Sequence, residues 1–263
     1  MFLDIGDVRR AFGEDEFFPF FQPQVALSTG QLAGFEALAR WNHQLLGAIS
    51  PDAFVPIVQN CGFVNRLTQR LLEKTFASAH LLPESLMLSI NISPLQILDV
   101  TLPGQIAAAA ELGGFSLARL TVEMTEEALF EDLSRAKEVA RRLKAFDCKL
   151  ALDNFGKGQS SLTHLLAVPF DEVKLDRSFI RTVTESRDSR KIVSAVVALG
   201  QNLGLMTVAE GVETEEETTI LREFGCDLAQ GWLFGKPAPA AEIPRLIEEA
   251  TKNYPGFSLA LAS

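Results

Sequence analysis

The sequence predicts an α/β protein whose strands close into a barrel, and three observations lead to this fold class. Short apolar runs alternate with amphipathic helical patterns almost to the end of the chain, as in right-handed βαβ units with a largely parallel sheet. The chain has 263 residues, close to the roughly 250 of a typical (β/α)8 barrel. No GxGxxG motif follows the first strands, so an open, doubly wound sheet is the alternative that we favour less.

About eight apolar runs have the length and composition of buried strands. They are Phe17–Val25, Leu32–Trp41, Leu86–Ile92, Leu117–Met124, Lys149–Phe155, Glu172–Leu175, Leu205–Val212 and Cys226–Phe234. Between them lie stretches whose apolar residues recur at helical spacing. The clearest of these predicted helices are Asn65–His80, Leu133–Phe146 and Ser186–Leu203.

Local signals mark further helix ends and the limits of the domain. Thr214 followed three residues later by Glu217 is a capping-box pattern, and Gly225 is placed to end that helix. The amphipathic stretch Asp4–Phe12 predicts a short helix before the barrel. We therefore expect a single domain with its barrel core over about residues 8–250 and a C-terminal tail over 251–263, loose from residue 255 onward.

Composition excludes several classes of protein. With 47% hydrophobic and 22% charged residues the chain is globular rather than disordered. Its net charge of −10 makes duplex nucleic acid an unfavourable partner. No apolar run reaches the roughly 20 residues that cross a bilayer, and no signal-like leader opens the chain. The cysteines (Cys61, Cys148 and Cys226) lie far apart without a CxxC motif, which favours a reducing, cytoplasmic location and no zinc site.

Polar residues occur late in seven successive predicted strands. They are Glu36, Asn91, Glu123, Asp153 with Asn154, Lys174, Glu210 and Gln230. In a barrel, such residues converge at the C-terminal mouth. Lys174 is the only cation among them, so protein pairs cannot neutralise the carboxylates, and bound divalent metal is the simplest balance. Ligands that are all oxygen suit Mg²⁺ or Mn²⁺ rather than Zn²⁺.

Hard metals beside clustered carboxylates point to phosphoryl chemistry, in which two metals can activate water and stabilise an in-line displacement. Lys174 would orient or activate that water and offset phosphate charge. These residues alone are consistent with a metal-dependent phosphoesterase or with an enolising enzyme, and they name no substrate.

The segment Glu36-Ala37-Leu38, inside Glu-Ala-Leu-Ala-Arg, resembles the signature of the EAL domain, a family of bacterial cyclic di-GMP phosphodiesterases. The resemblance extends from about Val8 to about Ala250. Six further segments carry it in order: Phe21-Gln22-Pro23, Asn91-Ile92-Ser93-Pro94, Glu123-Met124-Thr125-Glu126, Lys174-Leu175-Asp176-Arg177-Ser178-Phe179, Glu210-Gly211-Val212-Glu213 and Gln230-Gly231-Trp232. It implies a modified (β/α)8 TIM-type barrel with one strand antiparallel, and hydrolysis of cyclic di-GMP to linear pGpG with two Mg²⁺ or Mn²⁺ ions.

The resemblance also implies a role for each matching residue. The implied metal ligands are Glu36, Asn91, Glu123, Asp153, Asn154 (at the position of a second aspartate) and Glu210. Lys174 matches the residue that holds or deprotonates the attacking water. Glu213 and Gln230 match supporting residues that order ligands and water.

Further matches concern the ligand and the assembly. Arg40 matches a phosphate contact, Leu38 an apolar ligand contact, and Glu126 an acid that anchors the loop after Asp153. Domains of this family often form homodimers through that loop and its neighbouring helix. They usually follow a sensor domain, so we expect such a partner domain outside this chain.

The chain departs from the family after Asp153. Where the family has Asp-Asp-Phe-Gly-Thr-Gly-Tyr-Ser-Ser-Leu, this chain has Asp-Asn-Phe-Gly-Lys-Gly-Gln-Ser-Ser-Leu, which places Asn154, Lys157 and Gln159 at altered positions. Gln59 also stands where many members carry glutamate. An amide offers one neutral carbonyl oxygen, so Asn154 is a poor bridge between two dications.

Two functions of different classes follow from this departure. The domain is either a hydrolase, weakened or dependent on Mn²⁺, or a catalytically degenerate receptor that binds cyclic di-GMP and signals by changing shape. We favour the hydrolase, because the EAL signature is intact. A barrel that binds only a protein partner is the weakest alternative, because the polar mouth is nearly complete.

Overall fold

The protein is described by a computed structural model over residues 3–97, 99–156 and 162–253. Its strands are β1 (Phe17–Ala26), β2 (Leu32–His43), β3 (Gly47–Ile49), β4 (Met87–Asn91), β5 (Leu120–Thr125), β6 (Lys149–Phe155), β7 (Glu172–Leu175), β8 (Met206–Glu210), β9 (Leu228–Gln230) and β10 (Ala238–Pro239). Its helices are α1 (Ile5–Gly13), α2 (Pro51–Asn60), α3 (Val64–Ala77), α4 (Leu102–Gly113), α5 (Glu126–Glu131), α6 (Leu133–Ala145), α7 (Leu162–Ala167), α8 (Arg177–Ile180), α9 (Arg187–Leu203), α10 (Glu215–Phe224) and α11 (Ile243–Asn253).

Eight strands close into a barrel in the order β1-β2-β4-β5-β6-β7-β8-β9, because β1 pairs with both β2 and β9. β1 runs antiparallel to both neighbours, whereas the other pairs around the barrel are parallel. The predicted modified barrel with one antiparallel strand is therefore confirmed, and the open-sheet alternative is wrong. β3 and β10 attach to β2 and β1 without entering the ring.

The reversed direction of β1 follows from the short connection to β2. The amide of Ala26 donates to the carbonyl of Gln31 over 2.8 Å, and Gly30 donates to Ala26 over 2.7 Å. Gly30 has a φ of 73°, a left-handed conformation that glycine adopts without steric cost. A turn this tight can join antiparallel strands only, since a parallel pair needs a crossover of a dozen or more residues.

The clearest helix predictions match α3, α6 and α9, and the helix predicted over Asp4–Phe12 matches α1. α10 begins with the predicted capping box, in which Thr214 and Glu217 exchange side-chain and backbone hydrogen bonds, and it ends at Gly225 with a φ of 78°. α11 runs to Asn253, so residues 251–253 of the tail predicted over 251–263 form the end of this helix, and residues 254–263 lie outside the described residues.

The apolar core has two parts. The larger part fills the space between the barrel and its surrounding helices. A smaller part joins α1, α2 and α3 to β1 and the distal half of β2, with Phe12, Phe17, Trp41 and Phe54 among its buried members. This second cluster fixes α2 and α3 beside the mouth of the barrel. No helix in the part of the chain that the structure describes is long and apolar enough to cross a membrane.

Candidate active site

A buried lysine stands at the centre of the barrel mouth. Lys174, on β7, is only 1% exposed. Its Nζ lies 2.5 Å from Glu123 Oε2 on β5 and 2.7 Å from Glu210 Oε1 on β8. It also lies 3.4 Å from Glu36 Oε2 on β2. Barrel closure thus brings together one cation and three carboxylates that are far apart in sequence.

Side-chain amides donate to both carboxylate oxygens of Glu36. Asn91 Nδ2 donates to Glu36 Oε1 over 2.5 Å, and Gln230 Nε2 donates to Glu36 Oε2 over 2.6 Å. Strand register explains the contact between Gln230 and Glu36. The strand β1 lies between β2 and β9, with Gln22 opposite Glu36 and Gln24 opposite Gln230, so Gln230 and Glu36 flank the same part of β1. Six of the residues that sequence patterns predict for the mouth therefore form one network of hydrogen bonds and ion pairs: Glu36, Asn91, Glu123, Lys174, Glu210 and Gln230.

Two members of this network had no predicted role: Gln22, although it lies in the Phe21-Gln22-Pro23 segment, and Gln24. Gln24 Nε2 donates to Gln230 Oε1 over 3.0 Å, and Gln230 Nε2 also donates to Gln22 Oε1 over 3.0 Å. Both missed side chains are buried. Their signal in the sequence was two polar residues at alternate positions of an otherwise apolar strand, which places them on one face of it.

Asp153 and Asn154 lie near the end of β6, just before its last residue, Phe155. Asn154 has a φ of 58°, in the left-handed region where asparagine and aspartate are enriched. Its backbone amide donates to Asp153 Oδ1 over 2.7 Å, and its side-chain Nδ2 donates to Asp153 Oδ2 over 2.9 Å. Asn154 therefore donates hydrogen bonds to both carboxylate oxygens of Asp153, one from its backbone nitrogen and one from its side-chain nitrogen. Lys157 and Gln159 lie outside the described residues.

The charges of the mouth are unbalanced, and the pKa values reflect it. Burial raises the pKa of Glu123 well above its usual range, and the charge of Glu36 adds to this effect. Burial also raises the pKa of Glu210 to about 7, although the Lys174 ammonium opposes the shift. Burial raises the pKa of Asp153, again against the charge of Lys174. Burial thus opposes the simultaneous ionisation of Glu123, Asp153 and Glu210.

Lys174 and Glu36 keep their charges. Burial alone would lower the pKa of Lys174, but Glu123 and Glu210 together raise it well above its usual value. Burial alone would raise the pKa of Glu36, but the Lys174 ammonium and the amide donors more than offset it and lower that pKa. In this arrangement the Lys174 ammonium donates to the carboxylates of Glu123 and Glu210.

The other predicted residues lie around this centre. Leu38 lines the cleft above the mouth. Arg40 is half-buried, donates to the carbonyl of Ala39 and lies over the Phe20 ring, with its guanidinium carbon 5.9 Å from the ring centroid. Glu126 is buried at the start of α5; the loop that it was expected to anchor lies mostly outside the described residues.

Glu213 lies at the edge of the mouth rather than beside Lys174. Its Oε1 accepts a hydrogen bond from Arg181 Nη2 over 2.9 Å. Its backbone amide donates to the Glu217 carboxylate over 2.7 Å, within the cap of α10. The sequence pattern gave no sign of the partnership with Arg181.

The mouth opens into a cleft of about 730 Å³, within the range of small-molecule sites. One wall is largely apolar and comes from α2 and α3, including Pro51, Val55, Pro56, Val64 and Leu67. The opposite wall follows β7, β8 and β9 and carries Arg177, Arg181, Glu213 and Trp232. The floor between the walls includes Glu36, Asn91, Asp153 and Glu210.

The donor chemistry of the floor fits a hard divalent cation. Its acidic and amide oxygens are ligands of the type that Mg²⁺ and Mn²⁺ take. Glu123 Oε1 is buried without a hydrogen-bond partner, which leaves one carboxyl oxygen for a cation. Within residues 3–97, 99–156 and 162–253, however, no three acidic, histidine or cysteine side chains are already arranged around one metal position. Instead, Lys174 contacts Glu36, Glu123 and Glu210. The side-chain amides of Asn91 and Gln230 donate to Glu36.

A closed α/β barrel with a carboxylate–lysine cluster at its mouth belongs to the class of barrel proteins that carry their sites at the C-terminal ends of the strands. The EAL domain family matches residues 5–237. This chain therefore belongs to the EAL domain family.

Relatives and solved structures agree with this family. The "Uncharacterized signaling protein" of Caulobacter vibrioides is 39% identical over 250 residues, which cover 95% of this chain and 30% of the relative. The "Cyclic di-GMP phosphodiesterase RocR" of Pseudomonas aeruginosa is 37% identical, over 89% of this chain and 61% of the relative. The structure titled "PaMucR Phosphodiesterase, c-di-GMP complex" superposes with a TM-score of 0.87 at 32% identity, over 91% of this chain and 98% of that one. The chain thus spans about 30 to 61% of the length of these two curated relatives.

Proposed function

We propose that this chain hydrolyses cyclic di-GMP to linear pGpG. The observation that carries the proposal is the buried Lys174 with three carboxylates around its Nζ, of which Glu36 and Glu210 line a large cleft. Similarity to a cyclic di-GMP phosphodiesterase and to a phosphodiesterase–cyclic di-GMP complex supports the choice of substrate. A cleft of about 730 Å³ has room for a cyclic dinucleotide.

Divalent metal is part of this proposal. The residues that would hold two Mg²⁺ or Mn²⁺ ions are Glu36, Asn91, Glu123, Asp153, Asn154 and Glu210. When bound, such ions polarise a phosphoryl oxygen and lower the pKa of water. The unpartnered oxygen of Glu123 supports their presence.

The proposed reaction breaks one phosphodiester bond. The oxygen of a water molecule adds to phosphorus, the bond to the ribose 3′-oxygen breaks, and that oxygen leaves with a proton as a hydroxyl group. Lys174 would hold the attacking water through its ammonium hydrogens and offset phosphate charge. Gln230 would support the reaction by fixing the carboxylate of Glu36.

Other residues would bind the dinucleotide or support its contacts. Leu38 would contact the ligand from the α2–α3 side, and Arg40 would contact a phosphate after leaving the Phe20 ring. Glu213 would support the site from its edge, where it holds Arg181. A homodimer and a sensor domain outside this chain are further proposals that rest on membership of the family.

Asn154 sets the expected activity. It gives the mouth a neutral amide where the family has a second aspartate, so we expect weakened binding of one metal and a preference for Mn²⁺. If Asn154 abolished the binding of that metal, the protein would bind cyclic di-GMP without hydrolysing it, as a degenerate receptor does.

The test is incubation of the protein with cyclic di-GMP and Mn²⁺, followed by chromatographic separation of cyclic di-GMP, pGpG and GMP. We expect pGpG from this protein and none from Glu36→Ala, which removes an anionic oxygen pair from the mouth. The Glu36→Ala variant should still fold, because residues at the mouth serve function more than barrel stability. Calorimetric binding without pGpG formation would instead support the receptor, and absence of both would refute the proposed function.

A further inference from the structure

A buried acid lies inside the barrel below the Lys174 centre, toward the N-terminal ends of the strands. Glu172 begins β7 and is only 5% exposed. It precedes Lys174 by two residues, and β7 pairs with β8 in unbroken register over both, so the two side chains point to the same face of β7. That face is the barrel interior, because Lys174 contacts Glu123 on β5 and Glu210 on β8 across it.

Strand register places Glu172 in a polar layer of the interior. Ala151 on β6 lies opposite Glu172 on β7 and opposite Glu123 on β5. Because alanine is small, side chains from β5 and β7 can meet across β6, and Thr121 Oγ1 donates to Glu172 Oε1 over 3.2 Å. Ser89 on β4 pairs with Thr121 and is also buried. Barrels usually fill such layers with branched apolar residues, so packing alone does not account for an acid here.

Two lysines offset the cost of burying this acid. Lys149 begins β6 opposite Thr121, at the base of the interior. Burial raises the pKa of Glu172. The Lys149 ammonium, the Thr121 hydroxyl and the Lys174 ammonium all oppose that shift. Glu172 therefore lies between a cation at the base of the barrel and the cation of the mouth.

The surroundings of Lys174 change when metal binds. The three carboxylates around its Nζ are among the residues that would hold metal ions in the proposed function, and two dications bring four positive charges to the mouth. These charges compete with the ammonium for the same acids. Glu172 lies below the mouth and outside the proposed ligand set, so its carboxylate stays available to Lys174.

We propose that Glu172 is a positioning residue for the hydrolysis, whose carboxylate attracts the Lys174 ammonium from below and keeps it on the attacking water. The inference rests on the proposed function and adds a residue to it. The metal-free protein gains nothing from this acid, because Lys174 already has three carboxylates there. Glu172 should therefore favour activity without favouring stability, a trade-off that is common at active sites.

Two substitutions separate the charge of Glu172 from its shape. Glu172→Gln keeps the length of the side chain and an acceptor for Thr121 but removes the charge, whereas Glu172→Asp keeps the charge and shortens the side chain. At saturating Mn²⁺, we expect kcat for cyclic di-GMP to fall about tenfold in Glu172→Gln, with little change in KM. Glu172→Asp should have a higher kcat than Glu172→Gln. The reverse order, or full kcat in Glu172→Gln, would overturn this role.

Unfolding in chelator gives a second measurement that requires neither metal nor activity. Glu172→Gln removes a buried acid, so its free energy of unfolding by denaturant should not be lower than that of the unaltered protein. Glu16→Gln is the matched control, because Glu16 is equally buried but forms an ion pair with Arg10 and accepts from Trp41, beside the second core cluster. This control should lower the free energy of unfolding and keep kcat. A loss of stability in Glu172→Gln as large as in the control would make Glu172 a structural residue and overturn the proposal.

The unaltered protein separates the two ways in which the inference can fail. If it forms no pGpG from cyclic di-GMP with Mn²⁺, the proposed function fails, and the role of Glu172 fails with it. If it forms pGpG and Glu172→Gln does so at the same rate, only the role of Glu172 fails.

Discussion

The side-chain amide of Asn154 donates a hydrogen bond to the carboxylate of Asp153, with 2.9 Å between Nδ2 and Oδ2. Aspartate at this position would place two carboxylates side by side in a mouth that already contains more acids than Lys174 can balance. The asparagine therefore relieves repulsion in the metal-free protein. The same amide weakens the mouth as a site for two dications. Asn154 therefore stabilises the metal-free protein and weakens metal binding.

Removal of the central ammonium should separate catalysis from binding. We expect Lys174→Met to lower kcat far more than it weakens binding of cyclic di-GMP, because Lys174 contacts the attacking water in the proposed reaction. The variant also leaves buried carboxylates without their cation, which should lower the free energy of unfolding by about 3–5 kcal/mol. Steady-state kinetics, calorimetry and denaturant unfolding measure the three effects.

The control for Lys174 is Lys191→Met, since Lys191 is an exposed lysine paired with Asp188 beside it on α9. It should leave kinetics and stability unchanged. If Lys174→Met lost affinity while kcat stayed the same, Lys174 would be a substrate contact rather than the residue that holds the water.

Metal binding should release protons near neutral pH. Burial raises the pKa of Glu210 to about 7 and that of Glu123 well above its usual range, so in chelator Glu210 is partly protonated near neutral pH. A carboxyl group must ionise to bind a cation. Affinity for Mn²⁺ should therefore rise as the pH increases through about 7 and fall below it. Calorimetric titrations in buffers of different ionisation enthalpy count the protons, and a heat independent of buffer would contradict this prediction.

The strands were predictable from sequence because most barrel strands are short, buried apolar runs with a polar residue at or near the C-terminal end. The boundaries of β6 and β7 match the predicted ones without a shift. The α10 cap was also predictable, since Thr214 and Glu217 are near neighbours whose hydrogen bonds depend on local backbone alone.

Other features were not predictable in this way. α4 has apolar residues around most of its circumference, so its sequence shows no clear helical stripe. The contact of Arg181 with Glu213 spans 32 residues, and it depends on how the loops after β7 and β8 meet. The role of Gln24 depends on its register opposite Gln230 in a strand pair that only barrel closure creates.

Gln24 should act on catalysis through Gln230. Because Gln24 Nε2 donates to Gln230 Oε1, the Gln230 amide can point its own nitrogen toward Glu36. In Gln24→Glu no donor remains, so the Gln230 amide should turn and present its oxygen to Glu36. We expect kcat to fall about tenfold with a much smaller change in KM.

Gln105→Glu is the control for Gln24, because Gln105 donates to Thr101 on the exposed face of α4. A Gln24→Glu variant whose kcat equals that of this control would show that the orientation of Gln230 does not matter. Gln24→His, which keeps a donor, should recover part of the lost kcat and distinguishes orientation from simple loss of stability.

Asn154→Asp should strengthen metal-dependent activity. Two dications carry four positive charges, and Glu36, Glu123, Asp153 and Glu210 supply four negative ones. The substitution adds a fifth carboxylate, with two anionic oxygens in place of one neutral one. The left-handed φ of 58° suits aspartate as well as asparagine, so the backbone should not change. We expect higher turnover at low Mg²⁺ and a smaller gain at high Mn²⁺, where mass action fills a weak site.

The metal-free protein should respond to Asn154→Asp in the opposite direction. The variant loses the 2.9 Å hydrogen bond to Asp153 and places like charges together, so its free energy of unfolding in chelator should fall by about 1 kcal/mol. Mn²⁺ should restore more stability to the variant than to the unaltered protein. Binding of cyclic di-GMP in chelator should not improve, since an added carboxylate repels phosphate. A metal titration of hydrolysis, beside unfolding with and without Mn²⁺, measures both effects. Identical metal dependence in the two proteins would mean that residue 154 does not contact a metal, and Asn154 would then give no reason to expect a degenerate receptor.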